Sequence, residues 1–314
     1  AIDPVTGDVG SAGATCLTST DCGGCGGAII ISQLVPGQGA INAQATVCLP
    51  NVNAYNGRNQ VSSGLSATAV LSNLLTFDGC QSGDTSNRQY GIATIDQSAA
   101  VDAVAFTGSN ALNFAGHRTG ATYAIQGNIL LGPQILDAKE NNFLNSTGPL
   151  CDRLMAALQG ANVAGADSRC LSDGVSSKSA FIRVAKSTDP ANQFWLDLNV
   201  PIFAPGFDPI DSLQIKFDEF KTLNNLEVPQ QDQLQFQTGA RGSSVAVQLL
   251  IPTNYPLTIE MMDTDGRKIT AYEWREGNHF DFKTPDVATG IYFLRVRSAD
   301  GSLSAHHKFI VQPY

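Results

Sequence analysis

A chain of 314 residues and 33.1 kDa is long enough for two ordinary domains, and 43% hydrophobic residues give it a sizeable core without help from a metal. Its net charge of -9 and pI near 4.8 repel phosphate backbones and anionic lipid head groups, which excludes nucleic acid as a partner. Charged residues make up only 15%, a profile that suits an extracellular protein, and no apolar run approaches the roughly 18 residues of a membrane span.

All seven cysteines (Cys16, Cys22, Cys25, Cys48, Cys80, Cys151 and Cys170) lie in the first 170 residues, which points to two domains of different history. An odd count leaves at least one thiol over, or pairs it between chains. Cys22 and Cys25 form a CxxC inside CLTSTDCGGC, open to three readings: a structural disulfide, a redox pair or half of a zinc site. The glycines at 23, 24, 26 and 27 suit a tight cross-linked loop. A Cys151–Cys170 bridge is expected, because a helix from about Pro149 followed by GANVAGADSR can bring the two together. No signal peptide stands at the start, so an exported form is expected to have lost its targeting segment.

In chain order, residues 28–34 and 40–48 are apolar and β-branched around a PGQG turn, and predict a hairpin. Residues 65–75 place Leu65, Ala69, Leu71, Leu74 and Leu75 near one helical face. YGIATID and AVDAVAFTG predict two strands, 133–145 and 149–160 two helices, and 179–186 and 193–200 two further strands. In DPIDSLQIKFDEFKTL, Asp208 is placed to cap, Pro209 fits the first turn, and Ile210, Leu213, Phe217 and Phe220 form the stripe. Paired strands and blocked helices favour a layered α+β fold. From about residue 226, seven short β-like runs (234–238, 245–251, 257–263, 267–273, 278–282, 290–297 and 303–311) predict a β-sandwich, with Asp265-Gly266 and Asp300-Gly301 as hairpin turns. The expected domains are therefore 1–225 and 226–314.

The first domain resembles the bacterial family called domain of unknown function 1028, whose fold is like that of the N-terminal nucleophile (Ntn) hydrolases. The resemblance rests on AIDPVTGDVGSAGATC, RQYGIATID, AFTGSNALNFAGHRTGATYAIQGNILLGPQIL, LMAALQGANVAGADSRC, SSKSAFIRVA and DPIDSLQ. It implies a four-layer α-β-β-α sandwich and a family chain that begins a few residues earlier, inside the first strand. The last domain resembles the C-terminal sorting domain of the type IX secretion system of Bacteroidetes, through LTIEMMDTDGRKI, ATGIYFLRVRSADGS and SAHHKFIV. An Ig-like sandwich read by the outer-membrane translocon, and an extracellular or cell-surface location, are what that resemblance implies.

An Ntn hydrolase activates a Ser, Thr or Cys side chain at the mature N-terminus with its own α-amine, and Ala1 has no such side chain. The weak catalytic candidates are His117 and Arg118, placed in a Gly-rich turn, with Gln126 and Asn128, whose amides suit a polar ligand at a strand end. Asp167 and Arg169, beside Cys170, are the other pair. Each has a structural alternative: loop and turn hydrogen bonds for the first group, an ion pair holding a disulfide loop for the second. Adjacent His306 and His307 alternate across a regular strand and share no metal. The expectation is an exported protein without cofactor, whose first domain is a binding, structural or self-assembling scaffold with a homo-oligomer or other surface proteins as further partners. The competing expectation is an Ntn-type amidohydrolase whose nucleophile lies outside this sequence.

Overall fold

The computed structural model describes residues 1–80, 83–112, 114–203, 207–224, 236–241, 244–249, 256–263, 267–274, 279–283, 287–288, 290–298 and 304–311. The chain divides into two compact units, Ala1–Glu219 and Phe220–Tyr314.

The first unit is built on two sheets and a hairpin. Strands β2 (Ser32–Val35), β3 (Gly39–Ala45), β4 (Arg88–Ile95) and β5 (Val101–Thr107) form one antiparallel sheet in that order. β1 (Val9–Thr15), β8 (Ser179–Ala185) and β9 (Leu196–Val200) form the second, and β6 (Gly116–Gly120) pairs with β7 (Tyr123–Gly127). The predicted hairpin is present, but its first run opens as a 3-10 turn over Gly27–Ile31 before the strand begins at Ser32. The glycine-rich segment around His117, expected as a turn, is instead strand β6, because its backbone finds a full antiparallel partner in Tyr123–Gly127.

Period-two alternation in β3 and β4 gives the larger sheet two different faces. One face, with Ile41, Ala43, Tyr90 and Ile92, packs with Ala54 and Val61 of α1 (Val52–Ser62) and Ala67, Val70 and Leu74 of α2 (Ala67–Thr76). Ala40, Ala93 and Ile95 are buried instead with Val9 of β1 and Ala185 of β8. Helices α3 (Pro133–Asn145) and α4 (Leu150–Gln159) pack on each other, α3 against the β6–β7 hairpin and α4 against β1 and β8. Gly10 permits that contact: a Cβ there would lie 2.6 Å from Leu154 Cδ1 and 2.8 Å from the Arg183 carbonyl. α5 (Pro209–Leu223) starts as expected, with Asp208 Oδ1 accepting from the Ile210 amide at 2.9 Å and Ile210, Leu213 and Phe217 buried.

Three disulfides cross-link this unit: Cys16–Cys170, Cys22–Cys25 and Cys48–Cys80. The expected Cys151–Cys170 bridge is corrected. Cys151 lies in the first turn of α4 with its thiol buried and directed to Asp152 Oδ1 at 3.8 Å. Cys170 meets Cys16 at the end of β1, where Asp167 Oδ2 binds the Cys16 amide at 3.0 Å.

Beside Cys48–Cys80 sits a buried ion pair. Arg88 Nε and an Nη donate to Asp78 Oδ2 at 3.0 and 2.8 Å, while Asp78 Oδ1 accepts from the Cys80 amide and from Asn53. Burial pushes the Asp78 carboxyl up, but the Arg88, Asn53 and Cys80 hydrogen bonds outweigh it and hold it below its ordinary value. Stability from this group is therefore present above the unfolded value near 4 and lost as pH falls through the lower folded value. Arg88→Met, which leaves the carboxylate without its cation, should cost about 3–5 kcal/mol in urea unfolding at pH 7. A loss under roughly 1 kcal/mol would place Asp78 among weakly coupled surface groups.

In the second unit all seven expected strands are present. β10 (Phe236–Arg241), β11 (Ser244–Leu249) and β14 (His279–Lys283) form one sheet. β13 (Lys268–Trp274), β12 (Leu257–Met262), β15 (Gly290–Ser298) and β16 (Ser304–Val311) form the other, in that order. Val247 is buried with Leu257, Ile259, Met261, Trp274, Leu294 and Val296, so the two sheets share one core. Glu260, buried on β12, accepts from Arg295 at 2.6 Å across the β12–β15 ladder. The turns at Asp265-Gly266 and Asp300-Gly301 lie outside the described residues, as do the side chains of His306 and His307. Among the described residues no helix is long and apolar enough to cross a membrane.

Candidate functional site

The inner face of β3 and β4 changes character along its length. Ala40 and Ala93 lie in an apolar core, and the next inward positions are Asn42 and Gln44 on β3 opposite Gly91 and Gln89 on β4. Gly91 leaves room for Gln126 of β7, since a Cβ there would meet Gln126 Oε1 at 2.1 Å. The amide side chains of Gln44, Gln89, Gln126 and Asn128 thus converge. Gln89 is fully buried: its Nε2 donates to Thr107 Oγ1 and to the Gly116 and Gly127 carbonyls, all at 2.9 Å. Its Oε1 accepts from Gln44 Nε2 at 2.8 Å and Asn128 Nδ2 at 3.3 Å, and Gln44 Oε1 accepts from Gln126 Nε2 at 3.4 Å. Among the described residues Gln126 Oε1 is buried with no hydrogen-bond partner.

Two adjoining cavities open beside this network. The smaller, of about 80 Å³, lies between β1 and β7 and is lined by Ser11, Asn42, Gln44, Gln126, Lys139 and the apolar faces of α3 and α4; Ala1 stands in its wall. The larger, of about 160 Å³, is lined by Gln44, Asn128, Lys139, Asp167 and Arg169, by Ser176 and Ser177, and by the Cys22–Cys25 disulfide. Gln44 and Lys139 line both.

The residues singled out from sequence separate into three places. Gln126 and Asn128 face the cavities. His117 and Arg118 line neither: His117 Nδ1 is bonded to Thr107 Oγ1 at 2.9 Å, and Arg118 pairs with Asp137 at 2.6 Å on the surface. Desolvation and then the Arg118 guanidinium hold the His117 imidazole below its ordinary value. Asp167 and Arg169 border the larger cavity but are committed to each other at 2.6 Å, and Asp167 Oδ2 also accepts from the Cys16 amide. Sequence reasoning missed Lys139, Gln44 and Gln89. Their signal was there: polar residues at positions where helix and strand periods demand apolar ones. Among the described residues no group of three or more His, Cys, Asp or Glu is placed to hold a metal.

Residues 1–211 match the model of a family of unknown function, DUF1028. The chain belongs to the DUF1028 family. A crystal structure of a DUF1028 protein from Silicibacter pomeroyi is similar with a TM-score of 0.53 and 21% identity, over 70% of this chain and 87% of that one. At that identity the likeness is one of fold: mixed α and β, with several sheets. Behind the DUF1028 domain, residues 229–312 match the secretion system C-terminal sorting domain. That domain is the address of type IX secretion, so this DUF1028 protein is exported to the cell surface or the extracellular space. A DUF3244 protein with an immunoglobulin-like β-sandwich from Bacteroides vulgatus aligns with 24% of this chain and 83% of its own, at 11% identity and a TM-score of 0.22, too low to bear on the fold. No curated protein matches the chain.

Proposed function

We propose that residues 1–225 form an exported binding scaffold whose cavities take a small polar molecule, with residues 226–314 as an Ig-like sandwich that presents it to the type IX translocon. The observation that carries this reading is the buried, partnerless Gln126 Oε1 among the convergent amides of Gln44, Gln89 and Asn128. An unsatisfied buried acceptor costs about 1–3 kcal/mol, which a ligand N–H offsets once the Gln126 amide turns from Gly91 towards the cavity. The packing of helices outside two facing sheets supports a four-layer α-β-β-α arrangement of the Ntn-hydrolase type. The same scaffold takes further copies of itself or other surface proteins as partners.

A second reading is an Ntn-type amidohydrolase. It is favoured by one observation: Ala1 lines the smaller cavity beside Gln126, so a nucleophilic residue placed before it in a mature chain would enter that space. One titration separates the two. N-acetyl-L-amino acids are added to the mature protein recovered from its secreting host, its N-terminal residue read by mass spectrometry, while the side-chain amide signals of Gln44, Gln126 and Asn128 are followed by NMR and acetate release is assayed. Saturable shifts without acetate support the scaffold. Acetate release supports the hydrolase, and unmoved signals across the panel would leave the domain a purely structural one.

A further inference from the structure

α3 buries Ile135, Leu136 and Phe143, and Lys139 falls on the same stripe, one turn from each end of it. Its side chain faces both cavities. Among the described residues its ammonium has neither a hydrogen bond nor an ion pair. Among the described residues the only carboxylate lining the larger cavity, Asp167, is already bound to Arg169. Ile30, Ile31, Leu136 and Leu158 supply apolar walls, and Gln44 and Asn128 supply amide groups. A volume of about 160 Å³ holds about five waters, the size of one small amino-acid derivative rather than a polymer.

We infer that Lys139 anchors a site for a small carboxylate-bearing molecule with a short aliphatic body and an amide N–H, an acylated amino acid in chemical class. The inference rests on the scaffold reading above. A cation without a counter-ion on an apolar helix face is costly, and an entering carboxylate removes that cost while its body meets the aliphatic wall. Burial pushes the Lys139 amine down to about 8, so it is still largely protonated at pH 7 and available to an anion.

The test compares N-acetyl-L-alanine with its uncharged counterpart N-acetyl-L-alaninamide, at pH 7, on the full chain and on Lys139→Met and Lys139→Arg. Binding is read from the Gln44 and Asn128 side-chain amide signals. The native protein should bind the acid roughly tenfold tighter than the amide. Lys139→Arg should keep that preference and Lys139→Met should lose it. Without ligand, the thermal midpoint of Lys139→Met should equal or exceed the native one, because an apolar chain of similar length replaces a partnerless charge. Equal binding of acid and amide by the native protein would overturn the inference and leave the scaffold reading standing. So would an acid preference that survives in Lys139→Met, or a lowered midpoint, which would mark Lys139 as structural. If neither probe moves the cavity amides, the scaffold reading falls first and this one with it.

Discussion

Replacing both Cys16 and Cys170 with alanine should lower the thermal midpoint of the first unit by roughly 10 °C or more. The bridge joins residues 154 apart in sequence. A loop of that length gives about 5 kcal/mol in the chain-entropy estimate, and a unit of this size shifts its midpoint by about 2–4 °C per kcal/mol. Cys48–Cys80, with a separation of 32, should contribute about 4 kcal/mol by the same estimate, and Cys22–Cys25, with a separation of 3, only about 1–2. The ranking is the sharper part of the expectation, since it follows from loop length alone. Non-reducing peptide mapping checks the pairing directly. It should recover the Cys16 peptide tied to the Cys170 peptide, with Cys151 alkylated only after unfolding. A peptide linking Cys151 to Cys170 would refute the arrangement.

That pairing shows where sequence stops being legible. Cys151 and Cys170 are neighbours along the chain, and a helix with a turn is enough to imagine them bridged. What decides the matter is a long-range meeting: β1 ends at Thr15 beside the 3-10 turn Ser168–Asp173, and Asp167 fastens the two through the Cys16 amide. No local pattern records that contact. β1 itself, VGSAGAT, escapes a propensity reading because Gly, Ala and Ser are poor strand formers, yet its small side chains are what let α4 approach. α1 was missed for a similar reason. Its buried positions are Asn53, Ala54, Gly57 and Val61, a helical spacing without the large apolar residues that reveal one. The seven runs of the second unit were visible because alternation over short segments is a local property.

The site was half legible. Gln126 and Asn128 stand out in YAIQGN as polar groups ending an apolar strand, and they do face the cavities. His117 and Arg118 stand out equally, yet antiparallel pairing turns β6 so that they serve Thr107 and Asp137 instead. Residue type alone separates neither pair. Lys139 was legible once the helix over 133–145 is placed, since its stripe passes through 135, 139 and 143, and only the polar neighbours in DAKENN make that lysine read as surface.

Deleting β16, Ser304–Val311, should reduce export to near background while the first unit stays folded inside the cell envelope. β16 is the edge of its sheet and pairs with β15 from Gly290↔Val311 to Arg297↔Ser304. Its loss strips the outer hydrogen bonds from the strand that carries Tyr292, Leu294 and Val296 into the core, and leaves an unpaired edge beside them. A translocon that reads the folded sorting domain then meets either a frayed sheet or an aggregation-prone one. The measurement compares supernatant and cell-surface fractions with the periplasm, for intact and deleted chains, in a host with a type IX system. Resistance of the retained protein to proteolysis up to about residue 219 would show that only the address was lost. Equal export of the two forms would mean that recognition needs no closed sheet, and that the signal lies in the strands from β10 to β15.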